Sequence, residues 1–202
     1  MAVINVGGMV AASDYLIWYI SEFDIDFLVV VETKMWCKAS ALILSKQIGA
    51  TLRRKVVCCG SPCETLPGSK HFSGHKGPAY GGIWGICLNP RITPVVRGEF
   101  CAGVVTISLH VKGMQAVSLV NVYLPPIDSP KEGSLPQRIA VVEAEVASER
   151  AHTDQVLIMG DLNTRIGNVP GHRTLDTVKS PCHRRKAVMG MLKRLGMLHL
   201  HG

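Results

Sequence analysis

The sequence predicts an α/β protein, and three observations carry that prediction. In residues 1–50, short apolar runs of strand length alternate with longer stretches of helical periodicity. Over residues 52–123, β-branched segments follow one another with turns between them and no helix, which implies antiparallel pairing in this middle section. Residues 156–163 read Val-Leu-Ile-Met-Gly-Asp-Leu-Asn: four apolar residues enter a glycine, and Asp161 and Asn163 follow. Such a run reads as a fully buried strand with two polar residues at its exit from the sheet. That is the edge where α/β folds place their chemistry.

Residues 2–6 form a short strand ending in Asn5-Val6-Gly7-Gly8. Ser13 and Asp14 can cap a helix to about residue 23, with Leu16, Ile17, Ile20 and Phe23 on its apolar face. Residues 25–31 are a second buried strand, which delivers Glu32-Thr33-Lys34 at its end. Residues 38–48 are a second helix on a Leu42, Leu44, Ile48 pattern. Residues 52–58, 81–88, 92–96, 102–110 and 115–123 read as strands, with a long loop over 59–79. A Pro-rich loop over 124–134 leads to an amphipathic helix at 135–150, buried through Ile139, Val142 and Val146. After the strand at 156–163 come a loop over 164–182, a helix at 184–195 and the start of a strand at 197–200. No repeat or linker divides residues 1–202, so a single domain is expected.

Hydrophobic content of 47% and a mean hydropathy of +0.22 suit a packed globular chain. The net charge of +7 and pI near 9.2 favour polyanionic partners such as nucleic acid or phosphorylated substrates. Met1-Ala2-Val3 has no basic leader, and Asp14, Glu22, Asp24 and Asp26 interrupt the apolar N-terminal region short of a membrane span. The expectation is an intracellular chain, nuclear or cytoplasmic, with no membrane partner. Seven cysteines at irregular spacing, several inside apolar runs, suit buried free thiols in a reducing compartment.

The candidate site gathers at strand ends. Asp161 and Asn163 are two apart, so on an extended chain they point the same way. An Asx turn closing the strand is the ordinary alternative. Glu32 follows a buried strand, Asn5 ends another, and Tyr123 closes the strand at 115–123. Two carboxylates and neutral oxygens suit Mg²⁺, which takes few carboxylates and keeps waters. Cys59-x3-Cys63 followed by His71-x3-His75 has a zinc-like look, but the gap is shorter than finger spacing, so plain loop residues are expected. Arg53-Arg54-Lys55 and His183-Arg184-Arg185-Lys186 are either DNA-phosphate contacts or solvated surface.

The order of these residues resembles the endonuclease/exonuclease/phosphatase superfamily of DNase I-like nucleases. The resemblance is strongest to endonuclease domains of LINE-type retrotransposons. It rests on Ile4-Asn5-Val6-Gly7-Gly8, Val29-Val30-Val31-Glu32-Thr33-Lys34, Gly81-Gly82-Ile83-Trp84-Gly85-Ile86, Asn121-Val122-Tyr123-Leu124-Pro125 and Met159-Gly160-Asp161-Leu162-Asn163. It implies a four-layer α/β sandwich of two packed mixed sheets flanked by helices, and Mg²⁺-assisted phosphodiester hydrolysis, with Mn²⁺ a substitute. By the same resemblance Glu32 and Asn5 hold the metal, Asp161 orients or deprotonates water, and Asn163 and Tyr123 contact the phosphate. DNA is the implied substrate, and a downstream reverse transcriptase the implied partner domain.

The chain departs from the family pattern in three places. Pro126 stands where many relatives carry Asn, and Gly7 where apurinic endonucleases carry Asp. The Ser-Asp-His-like motif that ends the family's domain is absent, and His199 and His201 lie in the segment preceding it. The expectation is therefore a domain without its C-terminal strands and nearly inactive as it stands, since losing one phosphate-stabilising group costs about 10²–10³ in rate. A non-catalytic remnant that at most binds nucleic acid is one alternative. A same-fold phosphatase or phosphodiesterase acting on inositol or lipid phosphates is another.

Overall fold

The computed structural model describes residues 1–35, 37–62, 64–65, 79–101, 103–124, 135–164 and 183–197. Fourteen elements follow in order: β1 (Ala2–Asn5), α1 (Ser13–Glu22), β2 (Phe27–Val31), α2 (Lys38–Leu52), β3 (Val57–Ser61), β4 (Glu64–Thr65), β5 (Ala79–Tyr80), β6 (Ile83–Cys87), β7 (Ile92–Cys101), β8 (Val104–Val111), β9 (Val117–Tyr123), α3 (Leu135–Arg150), β10 (Val156–Asp161) and α4 (His183–Arg194). The two main sheets run β1-β2-β6-β3 and β10-β9-β8-β7, with β4 and β5 forming a two-stranded ribbon.

Both main sheets are mixed. β1 and β2 are parallel, and β6 is antiparallel to both β2 and β3. β9 and β10 are parallel, while β7, β8 and β9 run antiparallel as the middle of the sequence predicts. The strands alternate their side chains, and that period-two pattern sorts the apolar residues into three cores. Leu28, Val30, Trp84 and Ile86 meet Leu16 and Ile20 of α1 and Ala41, Leu44 and Ile48 of α2. Phe27, Val29, Val31 and Ile83 face Val105, Ile107, Leu119 and Tyr123 between the sheets. Val104, Val120 and Val122 meet Ile139, Val142 and Val146 of α3 and Val188, Met191 and Leu192 of α4. Three cores between four layers make the four-layer α/β sandwich. A polar seam adds register to α3: Thr106 donates to Glu145 at 2.9 Å, and the Ser118 hydroxyl donates to the buried Glu149.

Several readings of the sequence are corrected. Leu52 ends α2, so the strand expected over 52–58 begins at Val57 and continues to Ser61. The helix closes with Arg53 in the left-handed region (φ 51°), and the Arg54 N–H donates to the Gly49 carbonyl at 3.1 Å. Leu42 is exposed; the buried face of α2 is Ala41, Leu44, Ser45 and Ile48, the i, i+3, i+4, i+7 set. On α1, Leu16 and Ile20 are buried but Phe23 is exposed, and no Ser13 or Asp14 side chain caps the helix. β10 is not fully buried: it pairs with β9 alone and Leu157 is exposed, because an edge strand has one uncovered flank. Of the cysteines described with their side chains, Cys37 is exposed, Cys58 and Cys59 half-buried and Cys87 buried, all as free thiols. Cys63, His71, His75, Pro126 and residues 198–202 lie outside the described residues. No helix among the described residues is long and apolar enough to cross a membrane.

Gly160 fixes how β10 lies on β9. Its φ is +135°, and a Cβ there would fall on the Val122 carbonyl oxygen. Gly160→Ala should therefore push β10 off β9 and destabilise by roughly 2–4 kcal/mol, from backbone strain plus the clash. Gly113, at a turn with φ +80° and open space around it, is the control. Gly113→Ala should cost only about 1 kcal/mol, the left-handed penalty alone. Urea denaturation of the two variants checks the difference, and equal losses would contradict this account of Gly160.

Candidate active site

Parallel pairing decides where the polar strand ends go. Because β1 runs with β2, Asn5 is in register with Val31 and lies beside Glu32, the next residue. Because β10 runs with β9, Asp161 is in register with Tyr123. β10 also packs against β1 and β2, so the two pairs of ends meet where the sheets touch. Asn5 Nδ2 donates to Asp161 Oδ2 at 2.7 Å across that junction. Asn5 Oδ1 accepts the Gly7 N–H at 3.0 Å, which fixes the amide's orientation.

Asp161 closes its own turn. Its Oδ1 accepts the Asn163 N–H at 2.7 Å, and Asn163 takes a left-handed φ of 45°. The extended-chain reading of Asp161 and Asn163 is thus corrected: the strand stops at Asp161 and an Asx turn brings Asn163 back. The Asn163 amide donates to the Leu124 carbonyl at 2.7 Å, one residue past Tyr123. The Leu124 N–H in turn donates to the Asp161 carbonyl at 2.9 Å.

Glu32 also sits in the left-handed region, at φ 56°, as does Lys34 at 53°. The Thr33 and Lys34 N–H groups donate to Gly82 and Gly81, which hold this bend in place. Non-glycine residues in this region cost about 1–2 kcal/mol each, and three such residues surround one site. Lys34 Nζ lies 3.6 Å from Glu32 Oε1. Gly81 faces the Tyr123 ring, where a Cβ would meet Cδ1 at 3.2 Å.

Tyr123 senses both sheets. Burial first, then the negative charges of Glu32 and Asp161, push its phenol up to about 12; a hydrogen bond with Asn163 and the charge of Arg138 pull the other way. The phenol is therefore a neutral hydroxyl donor at any ordinary pH. The two carboxylates near it come from different sheets.

The structure brings Asn5, Glu32, Tyr123, Asp161 and Asn163 together. It adds two residues that the sequence reading did not single out. Lys34 was visible beside Glu32 but carried no distinguishing pattern. Arg138 is buried next to Gly103 and influences Tyr123. Its signal was an arginine between Leu135 and Ile139 on the apolar face of α3. Arg184 is corrected: it is 2% exposed and its Nε donates to the Leu162 carbonyl at 3.3 Å, so it braces the site loop rather than standing on a solvated or DNA-facing surface. Among the described residues, no three His, Cys, Asp or Glu side chains form one metal cluster.

No curated protein matches the sequence significantly. Among solved structures, the chain is similar to the 3′ phosphatase NExo from Neisseria bound to a product DNA hairpin, at 18% identity and TM-score 0.61, over 95% of this chain and 69% of that one. It is similar to the endonuclease domain of TRAS1, a telomere-specific non-LTR retrotransposon, at 15% identity and TM-score 0.57, over 99% and 72% of the two chains. It is also similar to an AP endonuclease from Archaeoglobus fulgidus, at 19% identity and TM-score 0.57, over 96% and 69%. At these identities the likeness is one of fold. The family model reaches further, matching residues 2–187, and by that match the chain belongs to the Endonuclease/Exonuclease/phosphatase family.

Proposed function

We propose that this chain is a Mg²⁺-dependent phosphodiester hydrolase acting on DNA, an endonuclease of the retrotransposon kind encoded with a reverse transcriptase. The observation that carries the reading is the 2.7 Å hydrogen bond from Asn5 to Asp161, beside a tyrosine whose phenol feels both Glu32 and Asp161. Phosphodiester hydrolysis needs an aligned water and charge compensation on the phosphoryl oxygens, and this group of side chains suits both tasks. The net charge of +7 suits a polyanionic substrate. The similar fold of NExo was solved with a DNA hairpin, which favours DNA over an inositol or lipid phosphate.

The donor set fits a divalent ion. Glu32 and Asp161 bring two carboxylates to one junction beside the neutral Asn5 oxygen, and Mg²⁺ accepts one or two carboxylates with waters completing its shell. Glu32 would hold it, with Asn5 Oδ1 alongside; Mn²⁺ suits the same oxygens. When bound, the ion supplies Lewis-acid stabilisation of charge on the phosphoryl oxygens. Asp161, fixed by Asn5 and by the Asn163 N–H, orients the attacking water and takes its proton. The water oxygen bonds phosphorus as the bond to the leaving strand oxygen breaks. The Tyr123 hydroxyl and the Asn163 amide hold the phosphate in line for that displacement.

Two measurements test this reading. Mg²⁺ at a hundredfold over its Kd should add about 2.7 kcal/mol to stability, roughly 5–10 °C of Tm for a chain of this size. Glu32→Gln should remove most of that gain. An unchanged Tm in millimolar Mg²⁺ would count against the metal. With supercoiled plasmid and Mg²⁺, the expected result is slow nicking that Asp161→Ala abolishes. Nicking that persists in Asp161→Ala would overturn the assignment of Asp161. Background nicking in both proteins would favour the non-catalytic remnant.

A further inference from the structure

We propose that the exposed face of α1 is a docking site for a Lys/Arg-rich polypeptide segment. The face is built from two adjacent rows at helical spacing. Tyr15, Tyr19 and Phe23 form one row, with ring centroids 6.1 Å and 4.9 Å apart. Asp14, Trp18 and Glu22 form the other, each one turn from the next. Trp18 links the rows, with its ring 5.5 Å from Tyr15 and 6.2 Å from Phe23. Four of the chain's eleven aromatic residues stand in this one ladder. Tyr15, Trp18 and Phe23 are 49%, 51% and 56% exposed, while Tyr19 is half-buried against the core that Leu16 and Ile20 supply, so the Asp14, Trp18, Glu22 row is the one turned away from that core.

Charge selects the occupant. Residues 1–33 contain no Lys or Arg but hold Asp14, Glu22, Asp24, Asp26 and Glu32, in a chain whose net charge is +7. Of these, Asp24 is paired with Arg54 at 3.2 Å, Glu32 with Lys34 at 3.6 Å, and Asp26 accepts from the Asn89 amide at 3.0 Å, so Asp14 and Glu22 are the two that charge the α1 face. An acidic aromatic face repels nucleic-acid phosphates and anionic lipid headgroups alike. A symmetric dimer through α1 would set Asp14 and Glu22 against their own copies, because an isologous interface repeats one patch on both sides. A guanidinium stacked on the Trp18 indole satisfies every element: the ring attracts the cation, and Asp14 and Glu22 flank it one turn to either side. The site is separate from the Asn5–Asp161 junction, so it stands whether or not the chain hydrolyses DNA.

The probe is a synthetic peptide of four Arg-Gly-Gly repeats, titrated into the full chain while the Trp18 indole N–H is followed by NMR and assigned through Trp18→Phe. A saturable shift is expected. Asp14→Asn and Glu22→Gln should each weaken binding about three- to fivefold, and Trp18→Ala more than either, with matching Tm values showing that all fold. A Lys-Gly-Gly peptide should bind more weakly than its Arg counterpart. A Trp18 signal that stays still at millimolar peptide, or an affinity indifferent to all three variants, would overturn the proposal. So would a shift caused by duplex DNA, or self-association by sedimentation that Trp18→Ala abolishes, which would assign the face to a second copy.

Discussion

Asn5 of β1 and Asp161 of β10 belong to different sheets and lie 156 residues apart, yet their side chains share a hydrogen bond. Everything else at the site depends on that junction. It requires parallel pairing at the margin of each sheet, so that two strands end together on one side. Had β10 run antiparallel to β9, Asp161 would lie at the far end of the sandwich from Tyr123. It also requires the two sheets to meet along β1, β2 and β10. The apolar layer of Val29, Val31, Ile83, Val105, Ile107 and Leu119 holds that meeting fixed. The site is thus a consequence of core packing, with the polar residues placed where the core stops.

Backbone strain supplies the second constraint. Glu32, Lys34 and Asn163 all take positive φ, which the surrounding hydrogen bonds to Gly81, Gly82 and Asp161 enforce. Strain of this kind gathers where side-chain direction matters more than chain comfort. Glu32 in an ordinary extended conformation would continue the alternation of β2 and face elsewhere. The turn after β2 aims it at the same point that Tyr123 and Asp161 reach from the other sheet.

Much of this was legible in the sequence because the signals were local. The polar residues at strand ends, the β-branched middle section and the Ile139, Val142, Val146 face of α3 each follow from spacing alone, and the ordered motifs supplied the architecture. What misled was exposure. The run Val156 to Met159 looks like a buried strand, but an apolar run of that length does not reveal whether a neighbour covers its free edge. Leu42 and Phe23 fit a helical pattern almost as well as the residues that are buried, and only packing against the first sheet separates them. Arg184 sat in a basic cluster and turned inward to the Leu162 carbonyl, a tertiary contact with no counterpart in local sequence. Arg138 matters through Tyr123, and Gly81 through Tyr123 and the Lys34 N–H, all tertiary contacts between residues apart along the chain.

The central claim is that Glu32 and Asn5, at strand ends of one sheet, hold a divalent ion beside Asp161 and Asn163, which the other sheet brings to the same junction. Paramagnetic Mn²⁺ tests it most directly, because its effect on nearby resonances falls off steeply with distance. Asn5 and Asn163 report from separate sheets, and their side-chain amides can be followed in the same spectrum. Both should broaden together at substoichiometric Mn²⁺, recover when Mg²⁺ is added in excess, and stay sharp in Glu32→Gln. Broadening of one without the other, or of neither in the folded protein, would contradict the account.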